Sequence, residues 1–309
     1  MSQNERPPNS VRSLIERLAA GLDAEGMPVI NPNEPQAASQ PARQASAAAE
    51  PLALRAARFS SPLAPRRQHR PAVVSLAQLE ENGMVALRRH RHVGEEFRIV
   101  RHHVLEHFQQ AQGQHDPVRR NNIVLVTSPR DGDGKSFAAL NLAGLLAEGG
   151  DRDIVLVDAD FGGASLTAHF GLAESPGLLE FGDSPRQLAG SIPLGTAIDR
   201  LVFIPVGGSA DAEARTALAA QRHVRSLASA VADSYEDSIV VVDAPACLTR
   251  SDATEISAIA GQAILVVQAG QTRRAEIEQS LDLLDSCPQL SLLLNRAAKR
   301  RRGLFARRG

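Results

Sequence analysis

The stretch that decides the fold runs from Asn122 to Glu148 and reads NIVLVTSPRDGDGKSFAALNLAGLLAE. It begins with an apolar, β-branched run, Ile123 to Val126, which has the length typical of a buried strand. A loop with two glycines follows, and Lys135 with Ser136 then opens an Ala- and Leu-rich segment with helical periodicity. Strand, glycine-rich loop, Lys-Ser and helix in this order predict a loop that binds phosphate.

The residue types of this loop indicate how it would hold a nucleotide. Glycines let successive backbone N–H groups turn toward phosphate oxygens at a helix N-terminus, whose dipole favours anions. We expect Lys135 to reach the β- and γ-phosphates of ATP and the Ser136 hydroxyl to bind Mg²⁺. Pro129 replaces the first glycine of the full pattern, so a Gly-rich turn with an accidental lysine is the alternative. The predicted nucleotide-contacting residues are Arg130, Asp131, Gly132, Asp133, Gly134, Lys135, Ser136 and Phe137.

Acidic residues end two further strand-like segments. DIVLVDADF carries Asp158 and Asp160 at its end, and period-two alternation points both carboxylates to one side. SIVVVDAPA ends its apolar run in Asp243, which matches a Walker B strand. Because open parallel sheets bind ligands at the carboxyl ends of their strands, we predict a site there. Asp158 and Asp160 would orient or deprotonate an attacking hydroxyl, and Asp158 and Asp243 would help to hold Mg²⁺. Solvated acids in a strand-end turn are the alternative.

Apolar segments of strand and helix type alternate from the phosphate loop onward. Further strands are predicted at 201–208, 263–268 and 290–294, and a helix is predicted over about 214–233. Such alternation predicts an α/β fold with a mostly parallel, doubly wound sheet covered on both faces.

The composition divides the chain into three parts. Ten of the eighteen prolines lie between Pro7 and Pro71, so residues 1–73 are predicted to be a mostly disordered extension with a short amphipathic helix near 10–22. Residues 74–295 are predicted to form the nucleotide-binding domain, with a lead-in helix at 95–110. Residues 296–309 form a tail with seven basic residues and no acid.

Charge, hydropathy and cysteine content indicate the cellular location of the protein and the kind of partner it binds. A net charge of −1 argues against general nucleic-acid binding, so no nucleic-acid partner is expected. No apolar run approaches the roughly 18 residues that span a bilayer, and the first ten residues lack an apolar signal core. Two cysteines without metal-type spacing suit a reducing compartment. We therefore expect a cytoplasmic location.

These motifs resemble a known group of proteins. A strand with D-x-D directly after the phosphate-loop helix, and a distal Walker B strand, resemble the MinD/ParA superfamily of deviant P-loop ATPases. The signature lysine of that superfamily would fall at Arg130, and its absence together with SPRDGDGKS resembles the bacterial tyrosine kinases (BY-kinases) of the same superfamily. Further resemblances are Glu95, Arg98 and Arg101 in E-x-x-R-x-x-R, SLIER at 13–17, SLAQLEENGM at 75–84, EEFRIVR at 95–101, LAAQRHVRSL at 218–227 and VVDAPACLTRSDA at 241–253. Three of them, at 13–17, 75–84 and 95–101, are similar to the exosortase-associated branch.

The resemblance implies an ATP- and Mg²⁺-dependent enzyme that controls exopolysaccharide polymerisation or export. Lys135 would stabilise the transferring phosphoryl group, and Asp158 would activate the acceptor with support from Asp160. The E-x-x-R-x-x-R motif would dock into a neighbouring subunit to form a homo-oligomer. The implied partner is an inner-membrane chain-length or export protein, and the basic tail suggests a weak contact with anionic lipid.

Two departures from that family bear on activity. Phe161 and small residues follow the D-x-D motif, where the family has basic residues and proline. The tyrosine-rich tail that such kinases autophosphorylate is missing, because the one tyrosine is Tyr235, whose position reads as structural. We therefore expect kinase-like phosphotransfer without tail autophosphorylation. A MinD/ParA-like ATPase switch and a non-catalytic nucleotide-binding scaffold for a membrane chain-length protein are the alternatives.

Overall fold

The computed structural model describes residues 72–85, 91–111, 118–150, 152–162, 164–181, 192–208 and 211–297. Its strands are β1 (Ala72–Val74), β2 (Arg120–Thr127), β3 (Ile154–Asp158), β4 (Leu194–Thr196), β5 (Leu201–Ile204), β6 (Ile239–Asp243), β7 (Ala260–Gln268) and β8 (Leu290–Asn295). Its helices are α1 (Leu76–Glu81), α2 (Arg91–Ala111), α3 (Lys135–Glu148), α4 (Leu166–His169), α5 (Leu178–Phe181), α6 (Ala212–Arg222), α7 (Val224–Ser234), α8 (Asp252–Ser257) and α9 (Arg274–Leu283). The predicted helix near 10–22 and most of the predicted basic tail lie outside the described residues.

The strands form a single sheet in the order β1-β4-β5-β3-β6-β2-β7-β8. Each neighbouring pair is parallel except β4 with β5. Five consecutive residues of β2, from Ile123 to Thr127, are fully buried, and consecutive burial requires that both faces of the sheet are covered there. The predicted mostly parallel, doubly wound α/β fold is therefore confirmed.

The strand order brings three strand ends together. β2 lies between β6 and β7, and β6 lies between β2 and β3. In the strand register Asp243 pairs with Val126 on one side and with Asp158 on the other. Because the chain leaves β2 for β3 and later returns from β6 to β7, the order of strands reverses around β2. Such a switch point opens a crevice at the carboxyl ends of the strands.

Helix α3 follows β2 and is apolar around its whole circumference. Residues 138–147 are all buried, because α3 packs on β2, β3 and β6 and is covered by α2. The buried face of α2 is formed by Phe97, Val104 and Phe108, which recur at helical spacing. No helix in the described part of the chain is both long and apolar enough to cross a bilayer.

The segment that precedes α2 is fastened to α3 through Asn141. The Asn141 Oδ1 accepts a hydrogen bond from the Val85 N–H at 2.8 Å, and its Nδ2 donates to the Gly83 carbonyl at 2.8 Å. Ser75 caps α1, and the Gln78 side chain completes the capping box. Residues 72–85 are thereby part of the folded domain, and β1 pairs with β4 at one edge of the sheet.

Three local expectations differ from the structure. The predicted helix 214–233 is two helices, α6 and α7, which are separated by His223 with a φ of +55°. The predicted strand 201–208 ends at Ile204, because Pro205 has no N–H for the sheet and Gly207 has a positive φ. The strands β1 and β4, of three residues each, are too short for sequence periodicity to reveal them.

Candidate active site

The phosphate-binding loop connects the end of β2 to the start of α3, as predicted. Gly132 and Gly134 have φ values of +89° and +102°, which side chains with a Cβ rarely adopt. Gly134 is the N-cap of α3, and its carbonyl accepts the first helical hydrogen bond, from the Ala138 N–H. The loop therefore ends at the N-terminus of a helix of fourteen residues, where free backbone N–H groups favour the binding of an anion.

Lys135 is the buried cation of the site. Its Nζ lies 3.0 Å from the Asp160 carboxylate and 3.6 Å from that of Asp131, and its side chain is 9% exposed. Burial alone lowers the pKa of Lys135, but Asp160 and Asp243 outweigh it, so the pKa lies above its usual value. Lys135 is therefore charged at neutral pH and is positioned between carboxylates.

Asp158 is fully buried at the end of β3 and is held by three hydrogen-bond donors. The N–H and the hydroxyl of Thr167 both donate to its Oδ2 at 2.7 Å, and the Asp160 N–H donates to its Oδ1 at 3.0 Å. Burial raises the pKa of Asp158 to about 6, although the Thr167 bonds oppose the rise. This carboxyl group can therefore change its protonation state near neutral pH.

Asp243 is the direct neighbour of Asp158 in the sheet, but its surroundings are different. It is fully buried, and neither carboxylate oxygen has a hydrogen-bond partner. Burial raises its pKa well above the usual value, and the nearby Asp158 raises it further. The Ser136 hydroxyl opposes this rise without making a hydrogen bond of normal geometry to either oxygen.

The donor set around Asp243 fits a magnesium ion that is shared with a phosphate. Asp158, Asp160 and the buried lysine, Lys135, all lie near Asp243, so a divalent cation would balance the excess negative charge of the three carboxyl groups. Within the described residues no three His, Cys, Asp or Glu side chains form a metal cage. Mg²⁺ does not require one, because it is usually held by one or two carboxylates together with substrate phosphates and water. The unpartnered oxygens of Asp243 suit that role.

The remaining predicted loop residues make contacts within the chain. The Arg130 guanidinium donates to the Gln271 carbonyl at 2.8 Å and lies 3.6 Å from Glu276. The Phe137 ring packs edge-to-face on Phe97 of α2, with centroids 5.9 Å apart. The side chains of these two residues thus fix the loop and α3.

The predicted oligomer motif lies on α2. Arg98 is exposed, whereas Arg101 is half-buried and donates a hydrogen bond to the Gly149 carbonyl of its own chain at 2.5 Å. The Glu95 side chain lies outside the described residues. The intersubunit role of these three residues stays a prediction.

Several residues of the site carried no signal in the sequence. Thr167 lies nine residues after Asp158 and reaches it only because α4 folds back over the end of β3. Arg215 is buried and donates to the Gly162 carbonyl next to Asp160 at 3.4 Å. Thr272 contacts the phosphate loop from the segment between β7 and α9, and Asn295 contacts it from the end of β8. All four contacts connect segments that are distant in sequence or joined by irregular loops.

Fold and site together define a P-loop α/β protein with acids at the carboxyl ends of two neighbouring strands. No protein-family model matches the chain. The chain is 31% identical over 169 residues to "Putative tyrosine-protein kinase EpsB" of Ralstonia solanacearum, with 53% of this chain and 21% of that protein covered. It is 26% identical over 181 residues to tyrosine-protein kinase CpsD of Streptococcus agalactiae, with 58% and 76% covered.

Solved structures show the same fold. The BceF tyrosine kinase domain aligns with a TM-score of 0.53 and 23% identity, covering 72% of this chain and 93% of that domain. The chimerical protein CapA2B2 aligns with a TM-score of 0.54 and 23% identity, covering 74% and 96%. The relatives of this chain are thus bacterial tyrosine-protein kinases, which confirms the resemblance predicted from the sequence motifs. The alignment spans about a fifth of the length of the first of these relatives, 21%.

Proposed function

We propose that this protein binds ATP with Mg²⁺ at the carboxyl ends of β2, β3 and β6 and transfers or hydrolyses the γ-phosphate. One observation carries the proposal: a charged, buried Lys135 at the N-terminus of α3 pairs with Asp160 and lies near Asp243, whose own neighbour in the sheet is Asp158. A lysine buried among carboxylates beside a glycine loop has no evident packing role. It is arranged to meet phosphate charge when Mg²⁺ occupies the acids.

The side chains can be given separate tasks. Backbone N–H groups of residues 130–137 would cradle the phosphates, and Lys135 would leave Asp160 to meet the charge on the transferring group. Ser136 and Asp243 would hold Mg²⁺, with Asp158 beside them. The bound ion would neutralise the charge that develops on the phosphate oxygens.

Asp158 is the candidate base for an acceptor hydroxyl or a water molecule. Its pKa of about 6 leaves it largely ionised at pH 7 and still able to accept a proton. Its Oδ2 accepts two hydrogen bonds and its Oδ1 accepts one, so the second lone pair of Oδ1 can take up the proton. Asp160 would support the step by setting the position of Lys135, its partner at 3.0 Å.

The reaction can be assigned by following the γ-phosphate. We would incubate the protein with γ-labelled ATP and Mg²⁺, with and without a Glu-Tyr copolymer as an external tyrosine acceptor. Label on protein or copolymer supports a kinase, which the named relatives favour. Free phosphate alone supports the ATPase alternative, and ATP binding without turnover supports a scaffold. If the folded protein binds no ATP, the proposed site is wrong.

Autophosphorylation on tyrosine is not expected within these 309 residues. The sole tyrosine, Tyr235, is 7% exposed at the end of α7, and its carbonyl accepts a hydrogen bond from the Asn122 side chain at 3.0 Å. Delivery of its hydroxyl to another subunit would require local unfolding next to β6. Mass spectrometry after incubation with MgATP should find no phosphate on Tyr235. Abundant phosphate there would show that this segment opens.

The proposed cellular setting rests on the resemblance of the sequence motifs to the bacterial tyrosine kinases. We propose that the enzyme acts in the cytoplasm at the inner membrane, on a polysaccharide chain-length or export protein. Glu95, Arg98 and Arg101 would contact a neighbouring subunit, which light scattering of the triple alanine variant can test.

The basic tail, residues 296–309, would add a weak contact with anionic lipid, worth about 1 kcal/mol per basic residue near the surface. Liposome co-sedimentation with and without residues 299–309 tests that contact.

A further inference from the structure

The phosphate-binding loop is tied to a part of the chain that follows it by more than 130 residues. Asp133, in the middle of the loop, is 2% exposed. Its Oδ1 accepts a hydrogen bond from the Thr272 hydroxyl at 3.1 Å, and its carbonyl accepts one from the Asn295 Nδ2 at 2.9 Å. Two side chains from the β7–α9 loop and the end of β8 thus hold one loop residue at its side chain and at its backbone.

The Thr272 hydroxyl is committed to this contact. Its oxygen accepts a hydrogen bond from the Gln268 N–H at 2.9 Å, so its single hydrogen is directed to Asp133. The other carboxylate oxygen of Asp133 accepts a hydrogen bond from the Arg130 N–H at 3.2 Å. The Asp133 carboxylate therefore bridges the loop backbone and Thr272.

Asn295 is held at both ends of its amide. Its Oδ1 accepts a hydrogen bond from the Arg296 N–H at 2.8 Å, which directs the Nδ2 toward the loop. The amide packs so closely on Gly134 that a Cβ there would lie 2.0 Å from the Asn295 Nδ2. Gly134 is therefore needed both for its φ of +102° and for this approach.

We propose that Thr272 and Asn295 are positioning residues that keep the phosphate-binding loop in its binding conformation. The inference rests on the proposed function, in which this loop binds the phosphates of ATP. Neither side chain needs to touch the nucleotide, because both act on Asp133 and Gly134. If the loop is already ordered in the free protein, nucleotide binding does not have to supply the entropic cost of ordering it, so the nucleotide binds more tightly.

The first test uses the nucleotide-free protein and does not depend on ATP binding. Thr272→Val removes the hydroxyl at almost constant shape, and Thr272→Ser keeps it as the matched control. We expect amide hydrogen exchange in a peptide covering residues 129–138 to be about 3- to 10-fold faster in Thr272→Val, the effect of losing one hydrogen bond. Exchange in α9 should be unchanged. Equal exchange in Thr272→Val, Thr272→Ser and wild type would overturn the proposal.

The second test measures affinity for ATP and ADP by calorimetry. We expect Thr272→Val and Asn295→Asp, in which a carboxylate replaces the donor that faces the Asp133 carbonyl, to weaken both nucleotides by about 3- to 10-fold. Thr272→Ser should bind like wild type. If wild type binds and Thr272→Val binds equally well, the positioning role is wrong while the proposed function stands. If wild type does not bind, both fall.

Discussion

Asp158 and Asp243 are register neighbours on adjacent strands, and both are fully buried, yet their surroundings are opposite. Asp158 accepts three hydrogen bonds from Thr167 and Asp160. Asp243 accepts none. A buried carboxylate without donors costs several times as much free energy as one that is satisfied. The protein itself supplies the hydrogen bonds of Asp158, whereas the Asp243 oxygens remain available for a ligand, which in our proposal is Mg²⁺.

The largest effect should come from Lys135, the buried cation that pairs with Asp160 and lies near Asp243. We expect Lys135→Ala to reduce turnover of ATP by at least about 100-fold, because the developing charge on the phosphate loses its buried partner. The fold should persist. Lys299→Ala removes the other lysine of the chain and is the matched control. Unchanged turnover in a folded Lys135→Ala protein would contradict the phosphate-loop assignment.

The contrast between the two acids can be tested with two isosteric amides. In Asp158→Asn an NH₂ group replaces one of the two oxygens that accept hydrogen bonds in the wild-type protein, so a donor faces another donor. The nucleotide-free protein should therefore lose about 2 kcal/mol of stability, roughly 4–8 °C in Tm. Asp243→Asn removes a carboxylate that has no donors, so Tm should not fall. Instead it should abolish the tightening of ATP binding by Mg²⁺.

Thermal unfolding with and without MgATP measures both effects. If Asp243→Asn destabilised the nucleotide-free protein as much as Asp158→Asn, the two acids would have equivalent surroundings, and the contrast would be wrong.

A smaller effect is expected at Thr167, which supplies two of the donors to Asp158. Thr167→Val keeps the N–H but removes the hydroxyl, which also accepts a hydrogen bond from the Val206 N–H at 2.9 Å. We expect a loss of about 1 kcal/mol and a further rise in the pKa of Asp158. Thr167→Ser should behave like wild type in chemical denaturation. Equal midpoints for the valine and serine variants would argue against the hydroxyl contact.

The pH dependence of stability gives the smallest signal. Burial raises the pKa of Asp158 from 3.8 to about 6, so between these pH values the folded protein binds more protons than the unfolded chain. The stability that comes from the protonated acid is present at low pH and lost as the pH rises through about 6. The Tm of the nucleotide-free protein should therefore fall between about pH 4 and about pH 6, and it should fall less in Asp158→Asn. An identical decline in both proteins would contradict this origin.

The sequence predicted those parts of the site whose chemistry is local. The glycine loop with Lys135 could be predicted because the turn, the lysine and the start of the following helix are consecutive in the sequence. Asp158, Asp160 and Asp243 could be predicted because each follows an apolar strand. The convergence of these groups is confirmed by the sheet order, in which β3 and β6 are neighbours.

What the sequence could not predict depends on contacts between distant segments. Thr272 and Asn295 lie more than 130 residues from the loop they hold. One lies in a loop and the other at a strand end, and neither segment has a sequence motif that indicates this contact. The break at His223 has no glycine or proline to mark it, because tertiary packing imposes its positive φ. The structural role of Tyr235 could be predicted, because its position before an apolar strand indicated that its side chain packs in the fold.

We propose above all that the Asp243 carboxylate and the Lys135 loop form one MgATP site. Calorimetric titration of ATP into the wild-type protein, in Mg²⁺ and in EDTA, tests it most directly. The account predicts one ATP per chain, bound at least about 10-fold more tightly with Mg²⁺, and loss of that difference in Asp243→Asn. ATP binding that is indifferent to Mg²⁺, or that is unchanged in Lys135→Ala, would contradict it.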